Sequence, residues 1–394
     1  MSVSEIWLPA QDGSREYYIP RARMYPPVSR ASADATPVRE VDAAVHIVID
    51  ADYTGPTTDP GLDVVDWETT ASIREYIWDA GLGVADGMDT AQRDLLPSRH
   101  VQFLLDQTAE QSDGRRWYFG AGTDDVSSST PTNAEIADAY IAQMLSIQRK
   151  GGKVAIFPSP HLVGRDADDF VDVFSRIDAA AQGPLLAHWL GEAFNPKMRD
   201  YFPADSFYRV MDLDNFESAK MSLLDVDREI EIRRRIAAAG KIIKTGDDYH
   251  YVELIEGGDA DVGRGVYESS GVKYPVGDYS HALLGCMGMF EDIAQEAIRA
   301  LAVGDADLYR AWLLPTVPLS YWTFQAPTVA YKHGVAKIAM LRGKQDNDLL
   351  LPGNQDTRDF WHTVVLYRLM DAAGLFTEDQ AVTAYERHIA PFTR

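Results

Sequence analysis

Short apolar runs rich in β-branched residues alternate along this chain with longer stretches in which apolar residues recur every three or four positions. The first kind of run marks buried strands and the second amphipathic helices. Strand candidates begin near residues 44, 82, 116, 153, 184, 218, 241 and 277. VDAAVHIVID (41–50) is the first of them, read as one strand ending at Asp50. Helical patterns follow most of them: residues 66–81, capped by Asp66 and stopped by Gly81, then roughly 91–111, 133–150, 166–183 and 227–240. Strand–helix alternation implies parallel strands, and eight units imply a closed (β/α)8 TIM barrel. An open doubly wound sheet is the rival. It is disfavoured because the one Gly-rich loop, GAGTDD, follows the third strand and lacks the GxGxxG spacing.

The pattern divides the chain into an N-terminal arm (1–40), with a hairpin expected around Asp12-Gly13, a barrel (41–286) and a C-terminal helical extension (287–394). Hydrophobic residues make up 46% and charged residues 25%, an ordinary globular balance. The formal charge of −23 argues against nucleic acid or an anionic membrane surface as partner. The single cysteine, Cys286, excludes an internal disulfide and any CxxC metal cluster. No stretch reads as an export signal or a membrane span. A cytoplasmic enzyme with a small-molecule substrate is the expectation. Homo-oligomerisation is also expected, through apolar surface on the arm and the helical tail.

In a barrel the loops after the strands converge on one face, so polar residues at strand ends are the default site candidates. They are Asp89 and Thr90 after the second strand, Asp124 after the third, and His188 and Glu192 at the fifth. The sixth carries Lys220; Gly246, Asp247, Asp248 and His250 follow the seventh, and His281 goes with the eighth. Asp89 and Asp124 also suit helix caps. Lys220 lies in a strand, where an ammonium is costly to bury. Two readings stand: a structural ion pair with a nearby carboxylate, or a nucleophile of lowered pKa. His188 interrupts the apolar run PLLAHWLG and is either a satisfied core residue or an acid–base group.

The ordered set DWETTASIREYIWDAGLGVADGMDTAQR, GAGTDD, PLLAHWLGEAFNP, AKMSLLD, TGDDYHYVELI, YSHALLG and PTVPLS..FQAPT..YKHGVAKIAMLRG resembles a bacterial family of unassigned function. That family is related to dihydrodipicolinate synthase and N-acetylneuraminate lyase. The resemblance implies a barrel with a helical extension and a strand-six lysine that forms a Schiff base with a ketone, usually pyruvate. Lys220 matches that lysine by position and by the surrounding AKMSLLD. Two departures bear on substrate. The Gly-Thr-Thr-Gly-Glu that cradles the pyruvate carboxylate is replaced by Gly87-Met88-Asp89-Thr90-Ala91, where an Asp suits hydroxyls better. His188 stands in place of the strand-five tyrosine.

The leading expectation is a Schiff-base lyase or aldolase, without cofactor, on a polyhydroxylated ketone or keto-sugar. Lys220 is then the nucleophile and His188 the acid/base, with Asp247 or Asp248 as its alternative or as tuner of Lys220. Asp89, Thr90, Asp124, Glu192, Gly246, Asp248 and His281 form the binding set. A divalent-metal barrel enzyme using His188, Glu192, Asp247 and His250 is one alternative. A catalytically inactive ligand-binding barrel is another.

Overall fold

In the computed structural model the described residues are 6–21, 35–53, 64–352, 354 and 357–393. Eight strands form the barrel: β1 (Val41–Ala44), β2 (Gly83–Asp86), β3 (Trp117–Ala121), β4 (Lys153–Ile156), β5 (Leu185–Leu190), β6 (Phe216–Ser222), β7 (Ile242–Thr245) and β8 (His281–Leu284). Each is parallel to its neighbour, and β8 closes on β1 with Ala282 opposite Val41 and Leu283 opposite Asp42. The fold is thus a (β/α)8 barrel with a C-terminal helical part.

The surrounding helices follow from their sequences. Residues Ala167–Ala180 bury Phe170, Val173, Phe174 and Ile177, a stripe at helical spacing, and Asp166 accepts the N–H groups of Asp168 and Asp169 at 3.0 Å. Residues Asn133–Arg149 start in a capping box between Thr132 and Glu135. The expected helix at 91–111 begins later, at Ser98, because Pro97 disfavours helical backbone at Leu96; two 3-10 turns, Asp89–Ala91 and Arg93–Leu95, fill the gap.

The chain groups into two compact units. One is the barrel unit, Pro37–Val45 with Arg74–Gly288. The other gathers the described residues of Met1–Thr36, His46–Ile73 and Met289–Arg394. In this second unit the hairpin Ile6–Pro9/Arg15–Tyr18 turns at Gly13 and ties to the C-terminal helices, with Arg368 on Glu16 at 2.8 Å and Tyr385 donating to the Trp7 carbonyl at 3.2 Å. Residues Glu291–Ala302, Ala306–Leu313, Val317–Phe324, Tyr331–Leu341, Phe360–Ala372 and Glu378–His388 are its helices.

The first strand is shorter than its sequence suggests. After Ala44 the chain leaves the barrel, and Ile49 pairs antiparallel with Val65 inside the second unit, so Asp50 does not end a barrel strand. A hairpin absent from the sequence reading, Val266–Ser269 with Val272–Pro275, intervenes between β7 and β8. Among the described residues no helix is long and apolar enough to cross a membrane.

Candidate active site inside the barrel

Alternation along β6 sends Ser218, Lys220 and Ser222 to one face of the sheet. That face is the interior. Lys220 is in register with Lys244 of β7, whose ammonium bonds Glu40 and, at 2.5 Å, Asp42 of β1. On the other side Lys220 is in register with His188 of β5. Both Lys220 and His188 lie in the C-terminal halves of their strands, the half that carries catalysis in this architecture.

The two neighbouring lysines have opposite electrostatics. Burial penalises the Lys244 ammonium, but the charges of Asp42 and Glu40 outweigh it and push its pKa up. Lys220 is 9% exposed, and burial pulls its pKa down to about 8, partly offset by the charges of Asp248 and Asp89. Among the described residues no hydrogen bond or ion pair within 4.0 Å ties the Lys220 amine. The ion pair expected of Lys220 is found instead at Lys244, one strand away, and the Lys220 amine keeps a lowered pKa.

His188 is 1% exposed, and among the described residues neither ring nitrogen has a hydrogen-bond partner. Such orphans are rare in interiors. Phe157 packs edge-on against the ring with centroids 5.2 Å apart. Burial, and then the charge of Lys220, hold the imidazole well below its ordinary pKa, so it is neutral.

The turn after β7 supplies the rest. A Cβ on Gly246 would lie 2.9 Å from Lys220 Cε and 2.2 Å from Ser222 Oγ, so only glycine lets the lysine side chain pass. Asp248 accepts the Cys286 N–H at 2.9 Å. Burial raises its pKa to about 7 against that bond and the charge of Lys220. Asp247 is engaged elsewhere: it accepts the N–H groups of Tyr249 (2.9 Å) and His250 (3.0 Å) and pairs with His250 Nδ1 at 2.8 Å. Of the two adjacent carboxylates, Asp248 is the one whose charge acts on the Lys220 amine. Asp89, at the head of the 3-10 turn after β2, is half-buried and adds its charge, and Thr90 beside it is buried.

Other candidates are dispersed. Asp124 is held by Arg93 at 2.6 Å, and Arg93 also donates to the carbonyls of Gly87 (2.9 Å) and Gly120 (2.5 Å). Glu192 pairs with Arg199 at the edge of a separate cavity of about 580 Å³ that Trp189, Phe202 and Tyr208 also line. His281 opens β8 instead of ending it, so it lies at the N-terminal end of the barrel, where its Nδ1 accepts the Glu40 N–H at 2.8 Å. It belongs to the floor, not the mouth. His188, Glu192, Asp247 and His250 are not gathered, and among the described residues no group of three or more His, Cys, Asp or Glu side chains is placed to share a metal ion.

Two features escaped the sequence reading. The floor is an ion network of Glu40, Asp42, Arg116, Lys153 and Lys244, with Tyr118 donating to Glu40 at 3.1 Å. Glu229, on the helix Val226–Ala237, is 1% exposed behind β7. Its signal was in the sequence, because Glu229, Ile232, Arg233 and Ile236 follow helical spacing on one buried face.

Residues 6–390 match a family described as "Protein of unknown function (DUF993)". No curated protein sequence matches. Among solved structures the chain is similar to YagE, a prophage protein belonging to the dihydrodipicolinic acid synthase family from E. coli K12 in complex with pyruvate. The identity is 14%, covering 86% of this chain and 99% of that one, with a TM-score of 0.66. Dihydrodipicolinate synthase from Aquifex aeolicus gives 13% identity, 89% and 99% coverage and a TM-score of 0.63. A putative dihydrodipicolinate synthetase from Pseudomonas aeruginosa gives 13%, 85%, 99% and 0.62. At such identities the likeness is one of fold. The chain belongs to the DUF993 family, whose barrel here is built like those of the dihydrodipicolinate synthase family.

Proposed function

We propose that this protein is a Schiff-base lyase that acts on a small polyhydroxylated ketone or keto-sugar through Lys220. The observation that carries the reading is an unpaired, inward-facing amine of lowered pKa beside a buried histidine with no partner. The fold shared with a barrel that holds pyruvate supports the same class of chemistry.

In this mechanism the neutral Lys220 amine adds to the ketone carbon, and the carbonyl oxygen takes up a proton. Asp248 suits that transfer because it titrates beside the amine. The carbinolamine loses its hydroxyl as water, and the nitrogen lone pair forms the iminium. The β-hydroxyl then gives its proton to the Asp248 carboxylate, and the iminium accepts the electron pair of the Cα–Cβ bond, releasing a carbonyl fragment and leaving an enamine. Protonation and addition of water return the second product and free Lys220. His188, held neutral, donates one N–H and accepts one hydrogen bond at the carbinol oxygen or a neighbouring hydroxyl. This role replaces the proton shuttling expected from sequence, because an imidazolium is too costly there. Asp89 and Thr90 are the hydroxyl-binding pair, and Asp89 repels the carboxylate of a keto acid.

Borohydride reduction tests the reading directly. With dihydroxyacetone or a ketose present, the Lys220 peptide is expected to gain the mass of one reduced adduct, and Lys220→Ala to abolish it. The sign of the pH dependence follows from burial. About a tenth of the amine is neutral near pH 7, so trapping rises as pH passes through about 8. Absence of any adduct with ketoses and pyruvate alike, while Lys220→Ala retains ligand, would leave a binding barrel without catalysis.

A further inference from the structure

The mechanism leaves one buried acid unused. Glu229 sits behind β7, and each of its oxygens accepts a hydroxyl: Ser280 at 2.7 Å on one, Thr245 at 3.0 Å on the other. The Thr245 oxygen in turn accepts the backbone N–H of Asp247 at 3.1 Å. That amide opens the turn whose next residue is Asp248, and Asp247 pins the far side of the turn through the N–H groups of Tyr249 and His250. One side of the turn thus hangs from Glu229 and the other from Asp247. Asp248 lies between the two anchors, accepts the Cys286 N–H and adds its charge to Lys220, and Gly246 of the same turn faces the lysine's Cε.

A carboxyl in this place costs more than a structural peg needs. Burial raises the Glu229 pKa to about 8 even with two hydroxyls donating to it, and the charge of Asp247 adds to the rise. Arg233, one helical turn on, is committed to Asp278 at 2.6 Å and neutralises Glu229 only in part. Below that pKa the acid offers one O–H donor and one acceptor oxygen, which an amide imitates, so the contact is broken only by a side chain without polar atoms.

We propose that Glu229 is a positioning residue for the Lys220–Asp248 couple, acting through the Thr245 hydroxyl. The proposal rests on the reading of Lys220 as the reactive amine, but its test does not require turnover. Trace labelling of the intact protein with acetic anhydride, with the Lys220 peptide read by mass spectrometry from about pH 6 to about pH 11, gives the midpoint at which that amine deprotonates. The charged groups acting on Lys220 come from three elements: Asp248 after β7, Asp89 after β2 and, when protonated, His188 on β5. Asp248 raises the lysine midpoint, so a displaced Asp248 lowers it.

Glu229→Met and Thr245→Val are each expected to lower the Lys220 midpoint, with labelling near pH 7 rising by about fivefold. The double variant is expected to go no further than either single one, because both cut the same connection. Thr245→Ser, which restores the hydroxyl, is expected to return the parent midpoint. An unchanged midpoint in a folded Thr245→Val or Glu229→Met protein would overturn the proposal, as would shifts that add in the double variant. Loss of the Schiff-base reading shows instead as failure of borohydride trapping, a separate measurement.

Discussion

At the scale of single residues, two inward lysines on adjacent strands divide the work by their neighbours alone. Lys244 meets two carboxylates and stays charged; Lys220 meets none closely and loses its proton near pH 8. Gly246 is what gives the second lysine its path. Gly246→Ala places a methyl group against Lys220 Cε and Ser222 Oγ, an overpacking of about 1–3 kcal/mol. The expected result is a borohydride-trapping rate lower by about tenfold with the fold retained by circular dichroism; equal rates would mean the side chain takes another route. Lys220 and His188 were legible as candidates because each is a polar interruption of an apolar run. The choice between Asp247 and Asp248 was not, because neighbouring turn residues face opposite ways and only backbone direction decides. His281 misled for a related reason: the intervening hairpin hid where β8 starts.

At the scale of elements, the strands were readable from β-branched runs, and six of the eight begin within about two residues of the expected positions. The exceptions are β1, which stops at Ala44 although the expected strand 41–50 runs on to Asp50, and β8, which starts four residues later than expected. The run beyond β1 serves a bridge with Val65, a tertiary choice that local pattern does not encode. The floor network was invisible for a similar reason, since Glu40, Asp42, Arg116, Lys153 and Lys244 are far apart in sequence and meet only when β8 closes on β1. Lys244→Met takes the fully buried cation from Glu40 and Asp42 and leaves them Arg116, a loss of up to about 3–5 kcal/mol. Lys220→Met removes an ammonium that nothing compensates closely, so stability is expected to hold or rise. Urea unfolding of the two variants separates these roles; equal losses would mean that the paired and unpaired lysines are energetically alike.

For the whole molecule, the charge of −23 sets how reactants approach. A net negative field slows an anionic ligand and leaves a neutral one untouched, and added salt screens it within about 8 Å. Trapping by pyruvate is therefore expected to accelerate between low salt and about 0.5 M salt, while trapping by an uncharged ketose stays flat. A flat response for both would place the long-range field away from the barrel mouth. The end of the barrel unit near Gly288 was legible, but the grouping of the arm, residues 46–73 and the C-terminal helices was not, because it joins three separate parts of the chain.

The inward positions of β1, β2 and β4 hold Ala44, Ala85 and Ala155 in one cluster with Met88, Tyr118, Leu186 and Leu283. Barrels of this kind usually fill such tiers with bulky branched side chains. Three methyl groups in their stead give this tier little side-chain volume of its own. If a ketone condenses with Lys220 as proposed, it becomes part of the barrel interior, so the tightness of its grip and the firmness of the surrounding walls are one and the same property.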